Sequence, residues 1–294
     1  MKLRQKEDEI KLLRHEGIDY AGGEITVIQL LERYISLKRG VRYNTTTGYK
    51  FVMSVVKKES FGQRIIRDIK MSDAKLWFIK FYDDGYSYST IASIRGVVKP
   101  AFQMAYTEDI IRRNTFEFRL DIIPNNTKKR VALSPKQQEQ FLEFTKNDKH
   151  FCRYLDEIKI LLGTGMRISE LCGLTIADLD FDRRRIRVDH QLVRTQDGKR
   201  YIEKTKTECG CRYIPMSDEV YESFYNILSN RKKQKKEVMI DGYAGFILLD
   251  KNGNPKVAMH VQKVVQRLCE KYNEENIIPC LLYTSDAADD MQCV

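Results

Sequence analysis

Leu161-Leu-Gly-Thr-Gly-Met-Arg-Ile-Ser-Glu-Leu-Cys-Gly-Leu174 is the stretch on which the reading of this chain turns. An apolar helix, carrying Leu155, Ile158, Leu161 and Leu162, runs into a Gly-Thr-Gly turn, and a second short helix starts at once. Gly163 and Gly165 let the backbone turn sharply, with positive φ where it is needed, and leave room for a ligand to approach. Arg167 and Glu170 stand three residues apart at the start of the second helix and so share one face. A guanidinium beside free helical N–H groups is suited to receive a phosphate. Gly-x-Gly turns between helices are common, and an arginine after one is ordinarily solvated. The residues that follow must decide between the two.

Composition narrows the classes. The chain has 294 residues, enough for two domains with proper cores. Hydrophobic residues at 42% and aromatics at 10% argue for globular structure rather than disorder. A formal charge of +10 suits a polyanionic partner. No run approaches the ~18 apolar residues of a membrane span, and Met1-Lys-Leu-Arg-Gln-Lys6 lacks the apolar centre of a signal peptide. The seven cysteines are scattered, and Cys209-Gly-Cys211 is too close for a zinc knuckle. These features lead us to expect a cytoplasmic protein with reduced thiols, no membrane association, no metal and no cofactor.

Residues 1–22 read as a charged leader helix. Four helices are expected next: one opened by a Thr26-x-x-Gln29 capping box with Leu30, Leu31 and Tyr34 inward, and one from Thr45–Thr47 through Tyr49, Val52, Val55 and Val56. A third is capped by Ser72 and carries Leu76, Trp77 and Ile79. The fourth runs from Ser89 through Ile91, Ile94, Val98, Ala101, Phe102 and Ala105. Pro100 lies inside the fourth, where its missing N–H predicts a kink. Residues 123–133 form a basic linker, with turn chemistry at Pro124–Thr127 followed by Lys128, Lys129 and Arg130. Ser134-Pro-Lys-Gln137 opens the next helix, with Phe141, Leu142 and Phe144 as its core face. Three strands are expected, at Arg185–Asp189, Tyr201–Glu203 and Cys211–Ile214, with Asp197-Gly198 turning between the first two. Amphipathic helices follow after Ser217 and over Ala258–Tyr272.

The pattern T-G-x-R-I-S-E-L-x-x-L-x-x-x-D-[LI], completed by Leu174 and Asp178, resembles the first arginine box of the tyrosine recombinases, or phage-type integrases. Asp180-Phe-Asp, Asp189-His-Gln-Leu, Asn230-Arg-Lys and Ile240-Asp-Gly-Tyr are closest to the integrases of Gram-positive conjugative transposons. The resemblance implies a mainly α fold with a small antiparallel β-sheet. Residues 23–122 become a four-helix core-binding domain ending in Asp109-x-Ile-x-x-Asn114, with Thr115 where a proline is common. Residues 134–279 become a mixed α/β catalytic domain, incomplete. Arg167 then contacts the scissile phosphate and Glu170 supports the box. Lys206, with Lys204 as fallback, becomes the catalytic lysine in the turn Lys204–Gly210. Lys128, Lys129 and Arg130 meet phosphates. The implied partner is double-stranded DNA at attachment sites, with self-association on the DNA.

Beyond Pro279 the family pattern of H-x-x-R, L-G-H and a tyrosine nucleophile does not continue. Residues 280–294 resemble translated adapter sequence, and Tyr283 lies outside the nucleophile's motif. His150-x-x-Arg153 has the H-x-x-R spacing but precedes the box, so it is not assigned. The chain is therefore expected to be a C-terminally truncated, inactive integrase. A non-catalytic DNA-binding regulator derived from a recombinase is the alternative. An unrelated phosphoryl-transfer enzyme is disfavoured, since neither a P-loop nor clustered carboxylates are present.

Overall fold

Thr26 opens the first helix by the chemistry of its motif. Its hydroxyl accepts the Gln29 N–H at 3.3 Å, and the Gln29 amide oxygen accepts the Thr26 N–H at 2.8 Å. Helix α1 (Val27–Ser36) buries Val27, Leu30 and Leu31. It is followed by α2 (Tyr43–Lys58), α3 (Met71–Asp83) and α4 (Tyr88–Thr107). The computed structural model describes residues 24–125, 127, 133–205, 210–231 and 237–276. The leader 1–22, Lys128, Lys129, Arg130, Lys206 and the tail 280–294 with Tyr283 lie outside the described residues. The chain divides into two compact units, Met1–Lys129 and Arg130–Val294.

In the first unit three helix starts fall earlier than the sequence pattern suggests. The hydroxyls of Thr46 and Thr47 donate back to the carbonyls of Arg42 and Tyr43 (3.2 and 3.0 Å), so both threonines sit inside α2 rather than capping it. In α3 the carboxylate of Asp73 accepts the Lys70 N–H at 3.1 Å, which leaves Ser72 within the first turn. Ser87, not Ser89, caps α4 by accepting the Thr90 N–H. That helix continues through Pro100 to Thr107. Leu76 is 63% exposed. The rotation of α3 is set instead by Trp77, Phe78 and Phe81, all buried. Trp77 stacks on Phe61 with ring centroids 4.3 Å apart, and Phe116 meets both rings edge-on. Asn114, buried after the last helix, donates to the carbonyl of Lys99 and to Gln103, and accepts the Phe116 N–H at 3.0 Å. It thereby fastens the exit of the chain to α4.

The second unit begins with α5 (Pro135–Asn147), closed at its N-terminus by the expected Ser134–Gln137 capping box. Then come α6 (Leu155–Thr164), α7 (Ile168–Gly173), five short strands, α8 (Asp218–Ser229) and α9 (Ala258–Asn276). Tyr272 of α9 lies edge-on to Phe141 and Phe144 of α5, and Lys271 pairs with the buried Asp148 just beyond α5. The strands are β1 (Leu179–Asp180), β2 (Arg185–Val188), β3 (His190–Arg194), β4 (Arg200–Lys204) and β5 (Arg212–Pro215). All pairings are antiparallel, in the order β1-β2-β5 for one sheet and β3-β4 for the other.

Strand β3 is absent from the sequence reading, and it changes the topology. The Asp197-Gly198 turn joins β3 to β4, and this hairpin is inserted between β2 and its true partner β5. Lys204–Gly210 therefore links two sheets instead of closing a hairpin between paired strands. Among the described residues no helix is long and apolar enough to cross a membrane. Cysteines 152, 172, 211 and 269 form no disulfide among the described residues, and burial pushes the Cys172 thiol up.

Candidate active site

Helix α6 ends where Gly165 adopts φ +62, the left-handed conformation that a side chain resists. Its N–H returns to the carbonyl of Leu161 at 3.0 Å. Met166, fully buried, anchors the turn, and Arg167 becomes the N-cap of α7. Gly163 serves a different end from the one its spacing suggests. A Cβ there would come within 2.6 Å of Val220 Cγ2, so this glycine lets α6 and α8 approach and opens no space for a ligand. Gly173, at the other end of α7, lies against the backbone of Gln191 and Leu192 in β3, where a Cβ would meet Leu192 N at 2.8 Å.

Glu170 is the hub. Its carboxylate accepts the Arg167 backbone N–H at 2.9 Å and Arg167 Nη1 at 3.1 Å. Arg212, on β5, adds a two-pronged grip: Nη1 to Oε1 at 3.1 Å and Nη2 to Oε2 at 2.8 Å. The Glu170 side chain is 3% exposed, whereas Arg167 and Arg212 are 24% and 28% exposed. Burial works to raise the carboxyl's pKa, but the hydrogen bonds from Arg212 and from Arg167 outweigh it and hold Glu170 below its ordinary value. Two partly exposed guanidiniums thus converge on one buried carboxylate.

A second buried carboxylate braces the end of the box. Asp178 accepts the Thr175 N–H (2.8 Å) and hydroxyl (2.6 Å), and also Arg187 Nη2 from β2 at 2.8 Å. Asp178, Asp189 and His190 hold ligating atoms within 4.8 Å of one another, a spacing a metal ion could use. The groups are already engaged. Arg187 lies against both carboxylates, and the His190 ring nitrogens meet Asp189 Oδ1 at 2.5 Å and the Gly173 carbonyl at 2.8 Å. The cation between the carboxylates is a guanidinium.

The structure thus brings Arg167 and Glu170 together. Lys206 and the basic residues 128–130 lie outside the described residues. The described flanks of the lysine segment are fixed: Thr205 Oγ1 is 3.2 Å from Cys211 Sγ, the Thr205 N–H donates to the Asp189 carbonyl, and the Gly210 carbonyl accepts from Arg212. His150 and Arg153 touch each other at 3.2 Å in the turn before α6. Arg212 and Arg187 escape the sequence reading. A signal for Arg212 existed, because the alternation of Arg212-Tyr-Ile-Pro215 puts it on the same strand face as Ile214, which packs against the core. A charge on an inward face requires a buried counter-charge.

Residues 132–281 match the family model described as the phage integrase family. The transposase of transposon Tn916 from Enterococcus faecalis is 42% identical over 275 residues, covering 93% of this chain and 68% of that protein. A tyrosine recombinase XerC from Bacillus pumilus is 21% identical over 250 residues, or 83% of this chain and 76% of that protein. The Tn1549 transposon integrase in complex with a circular intermediate DNA superposes with TM-score 0.84 at 40% identity, covering 92% of this chain and 85% of that one. A lambda integrase dimer bound to a core site gives TM-score 0.58 at 17% identity over 83% of this chain and 77% of that one, a likeness of fold.

Proposed function

The chain belongs to the phage integrase family, the tyrosine site-specific recombinases, close to the integrases of Gram-positive conjugative transposons, and from that membership we propose that it acts on double-stranded DNA at the attachment sites of a mobile element. Arg167 grips the scissile phosphate, with Glu170 holding the box behind it. Lys206 is the proton donor to the leaving 5′-oxygen. Lys128, Lys129 and Arg130 bind flanking phosphates, and further copies of the chain assemble on the same DNA. The observation that carries this reading is the placement of Arg167. Its guanidinium is tied to a buried, ionised carboxylate, so it stands ready for charge developing on a phosphate without reorganising.

The chemistry of this family needs a tyrosine oxygen attacking phosphorus, a second arginine and its histidines. No H-x-x-R follows Arg167 in the 294 residues, and Tyr283 stands outside the nucleophile's motif. We therefore read the chain as it stands as binding DNA without cutting it, since such groups act as a unit. Binding is expected to weaken by orders of magnitude between ~50 and ~200 mM salt. A mobility-shift titration insensitive to salt would refute it.

The decisive experiment is a suicide DNA substrate that traps the covalent phosphotyrosine. The unaltered chain is expected to form none. A chimera carrying a related integrase's C-terminal segment in place of residues 280–294 is expected to form it, and Arg167→Lys in that chimera to lose on the order of 100-fold in rate, because lysine cannot copy the bidentate grip. Covalent complex from the unaltered chain would overturn the inactivity. Full activity of the Arg167→Lys chimera would overturn the role of Arg167. A DNA-binding regulator descended from a recombinase is the second reading; a chimera that binds but never cleaves would support it.

A further inference from the structure

Arg212 lies 42 positions from Glu170 in the chain and reaches it only because β5 pairs with β2. Register sets Arg212 opposite Val188, on the strand face whose neighbours Ile186, Val188 and Ile214 pack in the core. An arginine on that face is costly unless its fork is filled. Both its terminal nitrogens bond Glu170, one to each carboxylate oxygen, and Nη1 also reaches the Gly210 carbonyl at 3.3 Å. Glu170 has a short side chain with two acceptors, and Arg167 takes Oε1 through its own Nη1. The Arg167 N–H pins Oε2 from one side, and the Arg212 fork spans both oxygens, so Arg212 joins the helix cap in fixing the carboxylate that the Arg167 guanidinium meets. Gly210 is also the described end of the segment that begins at Thr205. A Cβ on Gly210 would come within 2.6 Å of Thr205 Cβ, so the two ends of that segment are pressed together beside Arg212.

We propose that Arg212 is a positioning residue for the recombinase site: it locks Glu170, and through it Arg167, in the phosphate-binding orientation, and ties Gly210 to the arginine box. The inference rests on the reading of Arg167 as the phosphate contact. Arg212 itself need not touch DNA. Its action runs through Glu170, and lysine, lacking a planar fork, cannot replace it.

The test is a double-mutant cycle on the full chain, with affinity for a short attachment-like duplex measured by fluorescence anisotropy at low salt and melting temperature recorded alongside. Arg167→Gln is expected to weaken binding roughly tenfold, the low end for a lost charge-assisted hydrogen bond. Arg212→Gln is expected to lose a similar factor alone, but less than about twofold when added to Arg167→Gln, because its effect passes through the group already removed. Arg212→Lys should bind as weakly as Arg212→Gln. Additive losses would make Arg212 an independent phosphate contact and overturn the inference. So would wild-type affinity in Arg212→Lys, which would show that charge alone suffices. Arg212→Gln leaves a buried carboxylate short of a partner and can lower stability, so the neutral pair Arg212→Gln/Glu170→Gln is the second arm. A recovered melting temperature with binding still weak supports positioning. Recovery of both reduces Arg212 to a structural part and overturns the inference. If Arg167→Gln binds like the wild type, the phosphate reading of Arg167 falls and this inference with it, whereas a loss at Arg167 with additive loss at Arg212 overturns this inference alone.

Discussion

Phe61, Trp77, Phe78, Phe102 and Phe116 fill the middle of the first unit with stacked and edge-on rings, and the buried polar side chains described there are those of Asn114 and Thr115. In the second unit Asp148, Glu157, Glu170, Asp178 and His190 are all buried. Ring packing is tolerant of small rotations and draws its stability from area removed from water. Buried ion pairs are directional, and their desolvation offsets much of their attraction, so they add little net stability while defining angles closely. On the proposed function the difference follows the work of each unit: one that supplies a surface can be held by an apolar core, whereas one that aims a guanidinium needs partners that refuse other orientations.

Deleting one of those partners should give the largest effect. Asp178→Ala removes a carboxylate with no exposed side-chain area, takes the acceptor from the Thr175 N–H and hydroxyl, and leaves the half-exposed Arg187 with Asp189 alone. A cost of about 1–3 kcal/mol is expected. The loss should be confined to the second unit. Trp77, the chain's single tryptophan, sits in the first unit and reports on it alone, so denaturant unfolding followed by Trp77 fluorescence should keep its midpoint while hydrogen exchange of α6 and α7 accelerates. A shifted fluorescence midpoint would break the comparison.

Acid offers a gentler probe. Asp148 is held down to about 2 by the Lys271 hydrogen bond first, then by the N–H groups of Phe151 and His150. A depressed folded-state pKa means that the stabilisation is complete above the unfolded value near ~3.9 and is lost as pH falls from there through about 2. Asp148→Asn should therefore lower the second unit's stability at neutral pH and flatten its decline between those two values. A variant whose acid unfolding retraces the wild type would remove Asp148 from the account.

The smallest effect should run the other way. The Thr115 hydroxyl is buried without a hydrogen-bond partner among the described residues. Thr115→Val removes that polar atom at nearly the same shape and is expected to stabilise the first unit by ~1 kcal/mol, read as a rise in the Trp77 fluorescence midpoint. A drop would mean that the hydroxyl is satisfied by water and that this core is less purely apolar than its rings suggest.

What the sequence determined by itself was local. The Thr26–Gln29 and Ser134–Gln137 capping boxes, the glycine stop at Gly165 and the bond by which the Glu170 carboxylate caps the Arg167 N–H each fall within about one helical turn, and short-range hydrogen bonding decides them. The long box motif led to the family because it is contiguous in the chain, running from the end of α6 through α7 to Asp178. Expectations that depended on distant partners fared differently. Gly163 served Val220 rather than a ligand, and β3 was missed because its hairpin is inserted between two strands that pair across it. Tertiary structure alone decided that Arg212 meets Glu170 and that Arg187 meets Asp178. Strand pairing closes loops whose entropy no local propensity encodes, and a buried charge finds its partner only once the chain has brought both to one place.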